Sequence, residues 1–361
     1  MGLQGSNPQQ PCACDLLCNS TIIPMHFNLN GPKIGLYGPL LIPSAPNLRY
    51  FGALKNQFSG EIPTSICNMT NLKIVDLSHN NLSGIIPQCL GDFSTSLEVV
   101  DLRMNKLRGP IPATFRERNS LKFINLNGNE LEGPLSRSLV HCRNLEVLDI
   151  GNNRLRDTFP DWLESLPKLQ VLVLRANKFN GSIGNPKTGS PFRQLRIMDI
   201  SHNEFRGAFP IKYIENFTAM MDAEKVKMEY MRDITYFYSI VVSMKGLDVL
   251  VKIQTLLTTI DLSSNNFTGE IPQSIGRLES LKGLNFSHNR LQGNIPSSLG
   301  NLTNLEWLDL SSNELVGRIP NQLVSIPWLA SLNLSQNKLV GPIPSGRQFN
   351  TFNNDSYSGN P

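Results

Sequence analysis

The chain has 361 residues, with 33 Lys and Arg against 29 Asp and Glu, a net charge of +4, and 40% apolar and 17% charged residues. This small, dispersed charge contains no basic run of the kind that tracks a phosphate backbone or an anionic bilayer, so neither nucleic acid nor a membrane surface is an expected partner. Fifty Leu and 38 Asn are more than two ordinary compact domains call for, and point to a one-dimensional repeat.

The first 46 residues are a degenerate N-terminal segment without a clear cap. Residues 1–30 show no repeat, and Ile34-x-Leu36-x-Gly38-Pro39 reads as a decayed rung with Ile34 in the Asn position. No basic stretch followed by an apolar one marks a leader. Met1-Gly2-x-x-x-Ser6 fits the myristoylation pattern, which is short and easily met by chance. Cys12-x-Cys14-x-x-x-Cys18 with His26 matches no zinc spacing.

From residue 47 an Asn recurs in one register: Asn56, Asn80, Asn105, Asn129, Asn153, Asn177 and Asn203, then Asn265, Asn289, Asn313 and Asn337. The spacing is 24 to 26 residues apart from one gap of 62. Around each Asn runs the frame seen in Leu72-x-x-Val75-x-Leu77-x-x-Asn80-x-Leu82-x-Gly84-x-Ile86-Pro87, the leucine-rich-repeat signature. The alternation in Val75-x-Leu77 predicts a short strand with its apolar side inward. The Asn amide can then satisfy backbone groups of a neighbouring coil. Gly84 permits a bend and Pro87 fixes φ on the outer side. One such repeat cannot fold alone, and stability comes from stacking on neighbours. The expected fold is an α/β solenoid of about eleven repeats of 24 residues, with short parallel strands on its concave face, seven repeats over 47–210 and four over 257–344.

The gap holds an island insertion at 211–256, with five of the ten Met and four of the seven Tyr. Insertions in repeat arrays map to surface excursions, often on a binding face. Lys225, Lys227, Tyr230, Arg232, Tyr236, Tyr238 and Lys245 are its candidate partner-binding set, while Phe217, Met220, Met221 and Ile240-Val241-Val242 are read as packing it down. The frame stops at Pro344, and 345–361 is a polar tail that reads as the start of a truncated C-terminal cap. With both ends bare, the chain is expected to be part of a longer protein and to aggregate or need partners when expressed alone.

One outward position of the strands is nearly always Asp or Asn: Asp76, Asp101, Asn125, Asp149, Asp199, Asp261, Asn285, Asp309 and Asn333. That uniformity argues for a role within each coil. The rungs that break the pattern, at Arg103, Met104, Val173, Arg175, Ala176 and Trp307, are the candidate ligand-binding residues of the concave face.

No catalytic, cofactor or metal constellation emerges. His79, His202 and His288 each lie in a Ser-His-Asn unit, but they occupy one repeat position on non-adjacent rungs and cannot share an ion. Cys67 and Cys89 lie almost one period apart and can form a disulfide in an oxidising compartment. Ten Asn-x-Ser/Thr sequons occur, at Asn19, Asn68, Asn81, Asn180, Asn216, Asn266, Asn285, Asn301, Asn333 and Asn354, which favours a secreted, glycosylated surface. No apolar stretch of about 18 residues or more spans a bilayer.

The Leu-x-Gly-x-Ile-Pro element in Leu82–Pro87, Phe267–Pro272, Leu291–Pro296 and Leu339–Pro344 resembles the plant extracellular leucine-rich-repeat subtype. Further stretches are similar to receptor-like proteins of the Cf/Verticillium-resistance type, in the C-terminal part of the ectodomain: Ser65–Asn68 through Pro87–Leu90, Asp157–Leu163, Lys245-Gly246 ahead of Ile260–Ser263, and the tail Gly346-x-Gln348-Phe349-x-Thr351-Phe352 with Ser358–Asn360. The resemblance implies a non-enzymatic ectodomain on the extracellular side of the plasma membrane. It would bind an extracellular peptide, protein or glycan, often microbial, and signal through receptor kinase partners including a SERK-type coreceptor that meets the island and the last four rungs. The N-terminal Cys-Trp cap, early rungs, C-terminal cap cysteines, transmembrane helix and cytoplasmic tail of that family are not found in this sequence. A soluble polygalacturonase-inhibitor-like protein and a developmental receptor-like protein are the alternatives, the first disfavoured by the island.

Overall fold

Three residues of the Val-x-Leu alternation suffice for a strand once a neighbouring coil supplies the other half of its hydrogen bonds, and the rungs fold in this way. The computed structural model describes residues 26–29, 35–42, 45, 47–92, 96–221, 228–232, 236–244 and 247–361. Its residues fall into two units, 1–145 with 150–155, and 146–149 with 156–361.

In the first unit, strands β1 (His26–Asn28), β2 (Tyr50–Gly52), β3 (Ile74–Asp76), β4 (Val99–Asp101) and β5 (Phe123–Asn125) pair in parallel in chain order. The second unit carries β6 (Val147–Asp149), β7 (Val171–Val173) and β8 (Ile197–Asp199), then an antiparallel hairpin of β9 (Ser239–Met244) and β10 (Leu247–Lys252). It continues with β11 (Thr259–Asp261), β12 (Gly283–Asn285), β13 (Trp307–Asp309) and β14 (Ser331–Asn333). The parallel register runs β6 to β8, passes directly to β11 by pairing Asp199 with Asp261, and goes on to β14. The hairpin is thus an excursion that leaves the stack in register. Leu, Ile, Val and Phe of the frame fill the interior, Leu77, Leu82, Leu284 and Leu291 among them, and short 3-10 turns such as Gln273–Arg277 close the outer side.

Asn in the recurrent position does what a buried amide must, which is to satisfy backbone groups that the coil leaves open. Asn289 accepts the Phe267 N–H at 3.0 Å and donates to the carbonyls of Leu262, Phe286 and Ser287 at 3.0–3.2 Å. Asn80, Asn105, Asn129 and Asn153 in the first unit, and Asn203, Asn265, Asn313 and Asn337 in the second, repeat the arrangement. Asn56 does so with Leu36 and Leu29, and Asn177 donates to Leu174 and Arg175. The residue before the Asn turns through a left-handed conformation, with φ of 56° at His79 and 51° at both His202 and His288. That geometry places these three histidines in a turn position.

Three boundaries differ from the expectation. Residues 26–28 form a rung, β1, inside the segment read as degenerate; its side chains at His26 and Phe27, and Ile34, lie outside what the structure describes. Residues 211–221 continue the coil: Tyr213, Ile214, Phe217 and Met220 are buried, with Tyr213 against Phe159 and Phe192, and the island begins after Met221. The frame also continues past Pro344, because Asn360 occupies the recurrent Asn position, accepting the Leu339 N–H at 2.9 Å and donating to Leu334 and Tyr357 carbonyls. That coil departs from the frame because the polar residues Asn354–Ser356 form a 3-10 turn where the other rungs have an apolar strand. Cys67 and Cys89 are joined in a disulfide with Cα atoms 5.6 Å apart.

Candidate functional site

The repeated Asp-x-Ser of the strands makes a closed local motif. Asp199 Oδ1 accepts the backbone N–H of Ser201 at 3.0 Å and its hydroxyl at 2.6 Å, and Asp76, Asn285, Asp309 and Asn333 do the same with their own Ser. These side chains are committed to the coil. β7 breaks the motif with Val173 and Arg175, β12 opens with Gly283, and β13 opens with Trp307.

The hairpin occupies the surface those breaks create. Val241, Val242 and Ser243 of β9 meet Val173, Ile197, Thr259, Asp261 and Trp307 around a residual void of only about 10 Å³. Gly283 makes room for the indole, since a Cβ there would fall 1.9 Å from the Trp307 ring. Arg175 fastens the outer edge, its Nη1 donating to Asp248 Oδ1 at 2.7 Å and also to Ser243 Oγ, which itself donates to Asp248 at 2.7 Å. Burial works against the Arg175 charge, but the bond to Asp248 and the nearby Asp199 and Asp261 more than offset it and raise its pKa. The same contact outweighs burial at Asp248 and holds its carboxyl below the usual range. Beneath the hairpin, burial pushes Asp199 up to about 6 and Asp261 up to about 7, with Asp149 adding to the first shift and Asp199 to the second. Burial, then Arg175, lowers His202.

This arrangement corrects the reading of the pattern-breaking residues as a free ligand surface. Val173 is 1% and Trp307 6% exposed, and both lie under the hairpin together with Arg175. Arg103 is also buried, 3.5 Å from Asp101. Met104 and Ala176 are turn residues with φ of 57° and 50°, and Met104 stays half-exposed, with its sulfur over Gly128. Sequence reasoning missed Ser243, Asp248 and Gly283, whose partners lie 24 to 73 residues away. A hollow of about 200 Å³ beside the hairpin, lined by Ser243, Asn285, Trp307, Asp309, Ser331 and Asn333, remains open on the concave side.

Of the island candidates, Lys225, Lys227 and Lys245 lie outside the described residues. Tyr238 is fully buried and Tyr236 half-buried, which removes the former from any contact surface. Tyr230 and Arg232 are exposed: Tyr230 packs edge-on against Phe237, and Arg232 and Lys252 lie over the same ring at 5.5 and 4.4 Å. Two sequons are bonded within their coils. Asn285 and Asn333 spend their amide nitrogens on Asp261 and Asp309, at 3.1 and 3.3 Å, and are half-buried. Asn68, Asn81, Asn266, Asn301 and Asn354 are exposed, Asn180 and Asn216 are half-buried, and Asn19 lies outside the described residues. Among the described residues no cluster of His, Cys, Asp and Glu could hold a metal ion, and no helix is long and apolar enough to cross a membrane.

A family profile described as Leucine rich repeat matches residues 70–131, 137–205 and 255–315. Relatives from Arabidopsis thaliana include Receptor-like protein 35, 44% identical over 271 residues that make up 73% of this chain and 28% of that protein. Receptor-like protein 32 is 43% identical over 250 residues, 67% of this chain and 28% of that protein. The chain spans little more than a quarter of the length of these curated relatives. Similar solved structures include the plant peptide hormone receptor RGFR1 in complex with RGF2, with a TM-score of 0.69, 29% identity, and coverage of 86% of this chain and 43% of that one. The Arabidopsis receptor kinase HAESA in complex with the peptide hormone IDA and the co-receptor SERK1 gives 0.65 and 30% identity, over 90% of this chain and 52% of that one.

Proposed function

We propose, for a chain that belongs to the leucine-rich-repeat family, the function of a ligand- and partner-binding segment in the ectodomain of a plant cell-surface receptor-like protein. It is a non-enzymatic binding module. The observation that carries the reading is the island hairpin seated on the concave strands, which leaves the Ser243–Asn333 hollow open beside it. An extracellular peptide or protein ligand suits that hollow, whose walls present the Ser331 hydroxyl and the Trp307 indole beside the coil-bonded Asn285, Asp309 and Asn333. The island then offers a second surface to a receptor kinase partner of the SERK type, and the signal serves pathogen defence. Similarity to receptors whose solved complexes hold a peptide hormone, and in one case SERK1, supports both contacts.

The test is a complete receptor carrying this segment, with and without residues 222–256, expressed in leaf tissue. Loss of SERK1 co-purification and of the defence response on deletion is the expected result. Recruitment that survives deletion overturns the island's part, and an intact receptor that yields growth phenotypes but no defence output overturns the immune assignment.

A further inference from the structure

The hairpin hides one strand and presents the other. β9 turns Ile240 and Val242 into the molecule, whereas β10 leaves Leu247 69%, Leu250 50% and Val249 38% exposed. β10 pairs only with β9, and among the described residues Leu247–Lys252 make no backbone hydrogen bond to any other strand. A strand of six residues with a free row of N–H and C=O groups and apolar side chains on view is a template for another strand, and proteins ordinarily blunt such edges with charge, Pro or a bulge. β10 has no Pro, and its one carboxylate, Asp248, is turned to Arg175. At its far end Lys252 and Arg232 are stacked over Phe237, and among the described residues neither is paired with a carboxylate.

We propose that β10 receives an extended segment of a partner chain as an added strand, the partner's apolar side chains lying beside Leu247 and Val249 on one face and beside Leu250 on the other, and an acidic group meeting Lys252 and Arg232. Main-chain hydrogen bonds along β10 hold the segment, and the exposed apolar side chains and the two cations select it. The proposal deepens the partner-binding reading above and rests on it. The fixed base of the hairpin favours the contact, because Arg175, Ser243 and the Met231–Ile253 backbone bond of 2.8 Å already hold β10 in place, so little order is lost on docking.

The test is hydrogen exchange and surface-plasmon binding of a complete receptor ectodomain carrying this 361-residue chain to the SERK1 ectodomain. The expected result is slowed exchange confined to amides of 247–252 in the complex, and binding weaker by about tenfold or more in Leu250→Asp and in Lys252→Glu. Leu247→Asp must behave alike, and all three variants must keep the wild-type melting temperature. A complex that forms without protection at 247–252 overturns strand addition and leaves partner binding standing. Absence of any complex with the wild-type ectodomain overturns both. Protection that grows with protein concentration in the absence of SERK1 assigns the edge to a second copy of the chain and overturns the proposal in favour of self-association.

Discussion

Arg175 occupies a position at which most rungs carry a small polar residue, and its guanidinium reaches across to Asp248 and Ser243 while lying over two buried carboxylates. Arg175→Ala is expected to weaken hairpin docking by about 1 kcal/mol, a charged hydrogen bond discounted for the half-exposed Asp248 partner. Faster proteolysis and amide exchange in 239–252 would show it, and unchanged rates would refute the role. Gly283→Ala forces Trp307 out of its place over the backbone, at a cost of about 1–3 kcal/mol, visible as a red-shifted, more quenchable indole emission in a chain whose other two Trp are replaced by Phe. Asn289→Ala strips a backbone N–H and three carbonyls of their partner, with an expected loss of about 2–4 kcal/mol in thermal unfolding. The Asn ladder is legible in the amino-acid sequence because it recurs. Val173, Arg175 and Trp307 are legible there only as exceptions: a break in pattern marks a special rung but does not say what covers it.

At the scale of elements, the hairpin and its seat form a unit whose stability depends on pH. Asp199 and Asp261 have pKa values raised to about 6 and about 7 by burial in the coil, from ordinary values of 3.8, so the folded state favours their neutral forms. Their contribution is full below pH 3.8 and is lost as pH climbs to about 7. Asp248 has the opposite sign, its lowered pKa adding docking strength above the ordinary carboxylate value, and His202, also lowered, resists charging in acid. Amide exchange in β9 should therefore quicken between pH 5 and about 7 beyond its intrinsic rise, and Asp199→Asn should flatten that excess. A pH-independent protection factor would contradict the assignment. The Cys67–Cys89 bridge closes 22 residues, and its removal by paired Ser substitution should cost about 3 kcal/mol in the first unit. The existence of the island was evident from a gap in the period. Its true start after Met221 was not, because Tyr213, Phe217 and Met220 replace the usual Leu and Ile with larger residues that fill the same interior positions.

For the molecule as a whole, eleven copies of one frame made the fold class readable, since each rung repeats the same apolar and Asn positions, while a twelfth Asn at 360 escaped notice among polar neighbours. Assignment to plant receptor-like proteins rested on motifs, and the relatives found in Arabidopsis agree with it. Ordinary junctions in the stack join residues 20 to 29 positions apart, as when Asn289 holds Phe267 and Leu262. Across the island, Asn265 must find Phe205 and Ile200, 60 and 65 positions away. Loop-closure entropy grows as the logarithm of length, so this one junction carries about 1 kcal/mol that its neighbours do not. In a folding reaction that zips rung by rung, growth from either side pauses at the same seam.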